Sequence, residues 1–338
     1  MNPYSFGILE PIMQVLKEKN YEYVWFVREE IKEKFPFKEE NFTTKIEDLI
    51  TFKSDAIFCP GNEVPHYLRG VKTQVFHGLA GEKKGHFRIR HYFDLYLTQG
   101  PYFTKWFANA ATKHKTFDVV ETGWPKLDVY GKEVHKYDED KAVLLKKHQV
   151  KKVILFAPTF SPSLTCAPYL FEEIEQLASN KEYVIVIKFH DLMAKELIDK
   201  YQNLASKINN IVFVEERNII KYLLISDLMI SDTSSVVYEF LLLDKPVITF
   251  KNNSKSFDWD NSLTYKNVSK KVAKNLTEDP FQKERATIVA QYHPYNDGKS
   301  SERMVAAVEN YISKNGVPDK RNLPWLRKRK MNKMFGKF

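Results

Sequence analysis

The stretch that most constrains the fold is 226–250, led by Ile225, which reads ISDLMISDTSSVVYEFLLLDKPVITF. A short apolar run, 228–230, ends in the polar turn Ser231-Asp232-Thr233-Ser234-Ser235. Val236, Val237, Phe240 and Leu241 then recur at helical spacing, Asp244-Lys245-Pro246 stops the helix, and 247–250 returns as a second strand. A strand, helix and strand in this order require parallel pairing, because the connection is too long for a hairpin and must pack on the sheet face. The polar turn therefore lies at the carboxyl edge of a parallel sheet. Open α/β sheets bind ligands there, and a helix start offers N–H groups and a positive dipole end to an anion. The hydroxyls of Thr233, Ser234 and Ser235 add donors suited to phosphate, and Glu239, one turn deeper, can accept from ribose or polyol hydroxyls. Simple helix capping by Asp232 or a serine is the competing reading.

The rest of the chain repeats this alternation. A helix at 6–18 precedes a strand at 23–27, a helix at 44–51, strands at 56–59, 71–76 and 95–98, a helix at 102–113 and a strand at 118–121. That is a parallel α/β domain over 1–130, although its first helix has no strand before it. Gly123-Trp124-Pro125-Lys126-Leu127-Asp128 and the charged segment to about Lys147 read as a linker. A second domain, 131–316, has strands at 153–157, 183–189 and 211–215, helices at 169–179 and 192–205, a short helix ending at Ile225, the 226–250 unit, and closing helices at 281–291 and 301–313. Two Rossmann-like parallel-sheet domains, facing across a cleft between their carboxyl edges, are expected. A length of 338 residues suits two domains, and 43% hydrophobic content excludes a disordered chain.

The net charge of +9 points to an anionic partner: nucleic acid, an acidic membrane surface or a phosphate-rich substrate. Cys59 and Cys166, the two cysteines, form neither a disulfide framework nor a metal cluster and suit a reducing cytoplasm. No basic segment leading an apolar run opens the sequence, and no stretch approaches the ~20 apolar residues of a membrane span. A cytoplasmic protein, neither secreted by that route nor integral, is expected.

His77 directly follows the 71–76 strand, and His190 occupies the matching place after 183–189. One imidazole from each domain would enter one cleft, where the pair could divide proton removal and charge stabilisation. Either ring alone could as well satisfy a strand-end carbonyl; the matching positions favour chemistry. Lys188 shares a strand face with His190. Lys83 and Lys84, among Gly78, Gly81 and Gly85, read as a basic loop able to close over phosphates, or as a solvated surface loop. Asn296-Asp297-Gly298 leads through Lys299, Ser300 and Ser301 to a helix carrying Arg303, a second anion site or an ordinary cap. The acidic pairs Asp138 and Asp140, and Asp258 and Asp260, lack His or Cys partners at ligand spacing, so no metal is expected.

The tail, 317–338, contains WLRKRKMNKMFGKF. Leu326, Met331, Met334, Phe335 and Phe338 can share one helix side, while Arg327, Lys328, Arg329, Lys330, Lys333 and Lys337 cover the remainder. With Trp325 at the interface, this suits an anionic bilayer surface. A basic RNA-binding tail and a solvated tail are the alternatives.

Taken together, the sequence resembles the CDP-glycerol glycerophosphotransferase family, whose members build teichoic acid and related capsule polymers. The resemblance runs over about 70–310 and rests on the order of its motifs: His77-Gly78, Gly123-x-Pro125-Lys126-x-Asp128, Ala157-Pro158-Thr159, Lys188-x-His190, Ser231 to Ser235 running on to Leu243-Asp244-Lys245-Pro246, and Asp297-Gly298-Lys299-Ser300 with Arg303. It implies a GT-B architecture without a cofactor, with a CDP-activated polyol as donor and a lipid-linked glycan or polymer as acceptor. No nucleic-acid partner is implied, and the work is done peripherally at the inner membrane face. It implies essential roles for His77 and His190 and donor-phosphate contacts from the serine-rich loop with Thr233, Ser234 and Ser235; Lys188, Ser300 and Arg303 are expected as further phosphate contacts, and Thr159 and Glu239 as nucleotide contacts. The sequence departs from the family after His77-Gly78, where Leu79, Ala80, Gly81 and Glu82 replace the usual Thr-Pro stretch. It departs again at Phe160 and Ser161, where tryptophan and arginine are usual. These changes leave ribitol phosphate open beside glycerol phosphate. A GT-B glycosyltransferase or UDP-sugar epimerase is the rival within enzymes, and a non-catalytic lipid- or polymer-binding protein of the same fold is the rival outside them.

Overall fold

The computed structural model describes residues 3–79, 81, 85–253 and 258–338, so Lys83 and Lys84 lie outside the described residues. The chain divides into one unit of Met1–Glu133 with Gln291–Phe338 and a second of Val134–Ala290.

The first unit begins with α1 (Ser5–Glu18) and a two-stranded parallel pair, β1 (Trp25–Phe26) with β2 (Phe42–Thr43). The strand expected at 23–27 thus keeps two residues and stays outside the main sheet. Trp25 is drawn instead into an edge-packed aromatic cluster with Phe6 and Phe35, at ring distances of 6.3 and 5.5 Å. After α2 (Ile46–Phe52) come β3 (Ala56–Cys59), β4 (Val71–Gln74), β5 (Leu95–Thr98), α3 (Pro101–His114) and β6 (Asp118–Glu121). The four strands form a parallel sheet in the order β3-β4-β5-β6. β4 ends two residues earlier than expected, because Phe76 adopts a left-handed φ of +66° that turns the chain off the sheet and presents His77.

The second unit comprises α4 (Asp138–His148), β7 (Lys152–Phe156), α5 (Phe171–Leu177), β8 (Tyr183–Lys188), α6 (Lys195–Lys207), β9 (Ile211–Val214), α7 (Ile220–Ile225), β10 (Leu228–Ser231), α8 (Val236–Leu241), β11 (Val247–Phe250), β12 (Asp260–Ser262), α9 (Val268–Thr277) and α10 (Gln282–Tyr292). Its parallel sheet runs β12-β11-β10-β7-β8-β9. Alternate residues Ile154, Phe156, Ile185, Ile187, Leu228 and Ile230 bury one face against α5, α6 and α9. Their neighbours Val153, Leu155, Val184, Val186 and Met229 are buried as well, so the strands read as continuous apolar runs with both faces covered. The strand order reverses between β7 and β10, the position where such sheets bind ligands. Helix α4 lies within the expected linker; its acidic first turn and basic last turn complement the helix dipole. Asp260 is engaged by Lys271 at 2.7 Å and Asn275 at 2.9 Å.

The chain then returns to the first unit through α11 (Ser300–Asn315) and α12 (Trp325–Phe335). The sequence division assigned 131–316 to the second domain, whereas the contacts join 291–315 to the first. Asp128 explains why. Its carboxylate accepts the N–H of Ser300 at 2.7 Å and of Ser301 at 2.9 Å, and the Ser301 hydroxyl at 2.6 Å, satisfying the start of α11. Beside it Trp124 N–H donates to His293 Nε2 at 2.9 Å, and a Cβ on Gly131 would lie 2.3 Å from the Gly298 nitrogen. The 123–128 motif and the 297–303 motif are therefore two sides of one packed joint.

Helix α12 is docked rather than free. Met331 is fully buried among Phe76, Tyr92, Tyr96 and Phe107, with Leu323 and Phe335 partly buried beside it. Arg321 pairs with Asp94 and donates to the carbonyl of His91 at 2.7 Å, and Tyr67 donates its hydroxyl to the Phe335 carbonyl at 2.9 Å. The apolar side expected to face lipid is thus divided: Met331 and Phe335 face the protein, while Trp325, Leu326, Met334 and Phe338 remain exposed.

Candidate active site

His77 is exposed, and its Nδ1 donates to the carbonyl of Pro60 at 2.9 Å. A carbonyl only accepts, so the proton of the neutral ring sits on Nδ1 and Nε2 presents a lone pair. His190 shows the opposite arrangement. Its Nδ1 accepts the N–H of Leu192 at 3.1 Å, so its Nε2 carries the proton and is a donor. Burial lowers the His190 pKa, with Asp191 opposing, so the ring is neutral at physiological pH. Phe160 packs on the His190 ring at 4.5 Å.

Three carboxyl-edge segments of the second unit converge at its switch point. Asp232, fully buried, accepts the N–H of Thr159 at 2.9 Å and of Cys166 at 2.9 Å, binding the loop after β7 to the turn after β10. Burial raises the Asp232 pKa, and the two backbone bonds pull it back. The Asp232 carbonyl accepts from Asn252 at 2.7 Å, and Thr233 Oγ1 accepts the Asn253 N–H at 3.2 Å, so Thr233 keeps its own hydroxyl proton to give. Ser234 and Ser235 are half-buried, and their hydroxyls have no partner among the described residues. Helix α8 has six residues, so the anion-attracting field here comes from the turn's N–H and hydroxyl groups more than from a long helix dipole. Glu239 is buried within α8.

Other sequence candidates serve elsewhere. Lys188 is buried, and its ammonium, its pKa lowered by desolvation, donates to the Phe189 carbonyl at 2.5 Å. Ser300 is 1% exposed with its N–H on Asp128, and that carboxylate already fills the helix start where an anion was expected. Arg303 donates to the Thr122 carbonyl at 2.8 Å and to Asp297 at 2.7 Å while stacking on Tyr295 at 4.2 Å. Ser300 and Arg303, expected as phosphate ligands, are here parts of the 123–128 joint. The clamp role of Asp232 escaped the sequence reading; the only signal was an acid at the strand end, which a cap also gives. Among the described residues no group of three or more His, Cys, Asp or Glu side chains is placed to hold a metal.

Residues 8–310 match the family described as CDP-Glycerol:Poly(glycerophosphate) glycerophosphotransferase. The teichoic acid ribitol-phosphate polymerase TarL of Staphylococcus aureus is 28% identical over 279 residues, 72% of this chain and 46% of TarL. The teichoic acid glycerol-phosphate primase of Bacillus subtilis is 28% identical over 213 residues, 59% of this chain and 53% of the primase. The chain thus spans about half the length of the curated relatives it matches. Among solved structures, a CDPG-soaked variant of the wall teichoic acid polymerase TagF superposes with a TM-score of 0.65 at 17% identity, covering 91% of this chain and 86% of that one. A UDP-N-acetylglucosamine 2-epimerase superposes with a TM-score of 0.63 at 14% identity, covering 95% of this chain and 97% of that one. Both likenesses show an α/β, GT-B-like fold on parallel sheets. With the match extending over most of its length, the chain belongs to the CDP-glycerol:poly(glycerophosphate) glycerophosphotransferase family.

Proposed function

We propose that this chain moves a polyol phosphate, glycerol phosphate or ribitol phosphate, from a CDP-activated donor to a hydroxyl of a membrane-linked glycan or polymer, releasing CMP. Family membership supports the reaction class. The observation that carries the residue roles is the opposite tautomers that the backbone imposes on His77 and His190. His77 Nε2 takes the proton of the acceptor hydroxyl as its oxygen attacks the β-phosphorus. The new O–P bond forms while the bond from the β-phosphorus to the bridging oxygen breaks, and CMP leaves with that electron pair. His190 Nε2–H and the hydroxyls of Thr233, Ser234 and Ser235 donate to the pyrophosphate oxygens as charge shifts onto the leaving group. Thr159 and Glu239 are assigned to the nucleotide.

The exposed part of α12 supports a peripheral location on the inner face of the membrane. Trp325 and Leu326 are 68% and 70% exposed, beside exposed Lys328 and Arg329, and no helix among the described residues is long and apolar enough to cross a bilayer. Arg329 lies over the Trp325 ring at 5.8 Å. Three of the expected lipid contacts have protein partners instead: Lys330 with Glu63 at 2.8 Å, Arg327 over Tyr92 at 5.9 Å, and Phe335 against the core. The membrane surface is therefore assigned to Trp325, Leu326, Lys328 and Arg329.

A donor screen tests the function: the protein is incubated with CDP-glycerol, CDP-ribitol and UDP-N-acetylglucosamine, each with acceptor, and released nucleotide is identified. CMP from a CDP-polyol is expected. UDP without CMP would establish the nucleotide-sugar reading that the epimerase-like fold allows, and no turnover with any donor would favour a binding protein.

A further inference from the structure

A polar hollow at the carboxyl end of β4 is lined by Asn62, Gln74, His86, Arg88, Arg90 and Tyr96, and it encloses about 10 Å³, room for one water-sized oxygen. Phe76, which also lines it, directly precedes His77. Gln74 is 2% exposed, and neither its Nε2 nor that of His86 has a hydrogen-bond partner among the described residues. Burial, with His77 and Arg90 nearby, pushes the His86 pKa down to about 4, so the ring is neutral and Nε2 can donate. Among the described residues Arg90 is held by neutral oxygens: Asn62 Oδ1 at 3.2 Å and the carbonyls of Arg88 at 3.2 Å and Gly85 at 3.4 Å. Arg88 is exposed and has no ion pair among the described residues. An amide, an imidazole and two guanidinium groups thus meet with no carboxylate in the lining among the described residues. A water molecule would satisfy Gln74 and His86; a phosphate oxygen would satisfy them as well and would in addition bring its charge to the two guanidinium groups.

We propose that this hollow is an anion subsite, in which Gln74 and His86 hold one oxygen of a phosphate while Arg88 and Arg90 neutralise its charge. Resting on the transfer reaction proposed above, the phosphate is assigned to the acceptor: the last phosphodiester or phosphomonoester of the chain whose terminal hydroxyl reaches His77.

The test measures binding without turnover, by calorimetric titration of the whole chain with sn-glycerol 3-phosphate and, separately, with CDP. Wild type is expected to bind glycerol 3-phosphate, the Arg88→Ala/Arg90→Ala variant to bind it at least about tenfold more weakly, and CDP affinity to stay the same. Arg88→Glu, at an exposed position, is the second variant and is expected to give the same loss with an unchanged melting temperature. Absence of glycerol 3-phosphate binding by wild type at millimolar concentration, or equal binding by the variants, overturns the subsite. Parallel loss of CDP affinity also overturns it, because the arginines would then serve the donor. None of these readouts depends on CMP release, so a failed donor screen refutes the transfer reading separately.

Discussion

The carboxylate of Asp232 accepts the Thr159 N–H at 2.9 Å, and this bond joins the loops leaving β7 and β10 where the strand order reverses. A second bond, from Cys166 N–H, fixes the loop farther along. The acid that a sequence reader takes for a helix cap is the clamp that gives the hydroxyl-bearing turn its shape. A charged acceptor suits the task, since each oxygen takes one buried N–H.

Replacing Asp232 with Asn turns an NH2 group toward one of those two donors. We expect a loss of about 1–3 kcal/mol in urea unfolding, from one buried N–H left without an acceptor. Donor affinity is expected to weaken as the turn loosens. Wild-type stability in Asp232→Asn would show that the clamp carries no strain-bearing load.

The two histidines are expected to separate kinetically. His77→Ala should lower CMP release about 10²–10⁴-fold while leaving donor binding intact, the signature of a lost base. His190→Ala should lower the rate and also weaken donor binding, because in the proposed reaction its Nε2–H donates to the pyrophosphate. Single-turnover assays combined with equilibrium donor binding distinguish these outcomes; identical losses of donor binding in both variants would contradict the division of roles.

Acid should weaken the joint between 123–128 and 293–303. His293 is 4% exposed, its Nε2 accepts the Trp124 N–H, and burial, followed by Arg303, lowers its pKa to about 4. The unfolded chain binds this proton near pH 6.5 while the folded chain resists it. The contribution to stability is therefore complete above about pH 6.5 and declines as pH falls toward 4, by on the order of 3 kcal/mol in total. Urea unfolding across that range should show the decline, and His293→Gln, which can still accept the N–H but does not titrate, should flatten it.

Helix α12 should respond differently on its two sides. Met331→Ala is expected to cost about 2–5 kcal/mol, because a fully buried side chain leaves a cavity. Lys328→Glu with Arg329→Glu should leave the melting temperature unchanged and abolish sedimentation with anionic liposomes at low salt. Retained sedimentation in that variant would remove the membrane role from this helix. Truncation cannot make the distinction, since it also removes Met331 and Phe335 from the core.

Long apolar strands were the most legible feature. β5 and β11, buried at every position, coincide with their expected ranges, because buried parallel strands need apolar runs that leave a plain trace, and the partly buried β3 and β6 coincide as well. β12, with the sequence Asp260-Asn261-Ser262, was invisible, since an edge strand of three polar residues is specified by its neighbour β11 and not by its own composition. Helix α4, whose first turn is the acidic run that begins at Asp138, falls inside the segment expected as a linker.

By itself the sequence determined that parallel strands and helices alternate and that two strand-end histidines and a hydroxyl-rich turn lie at carboxyl edges, since period and turn chemistry are local properties. Only the tertiary structure decided which polar groups remained available. Asp128 had taken the start of α11, Arg303 had taken the Thr122 carbonyl, and Met331 had turned the tail inward. Those outcomes depend on partners more than a hundred residues away in the chain, as for Asp128 and Ser300 or Trp124 and His293, and pairing at that distance leaves no periodic mark on either segment.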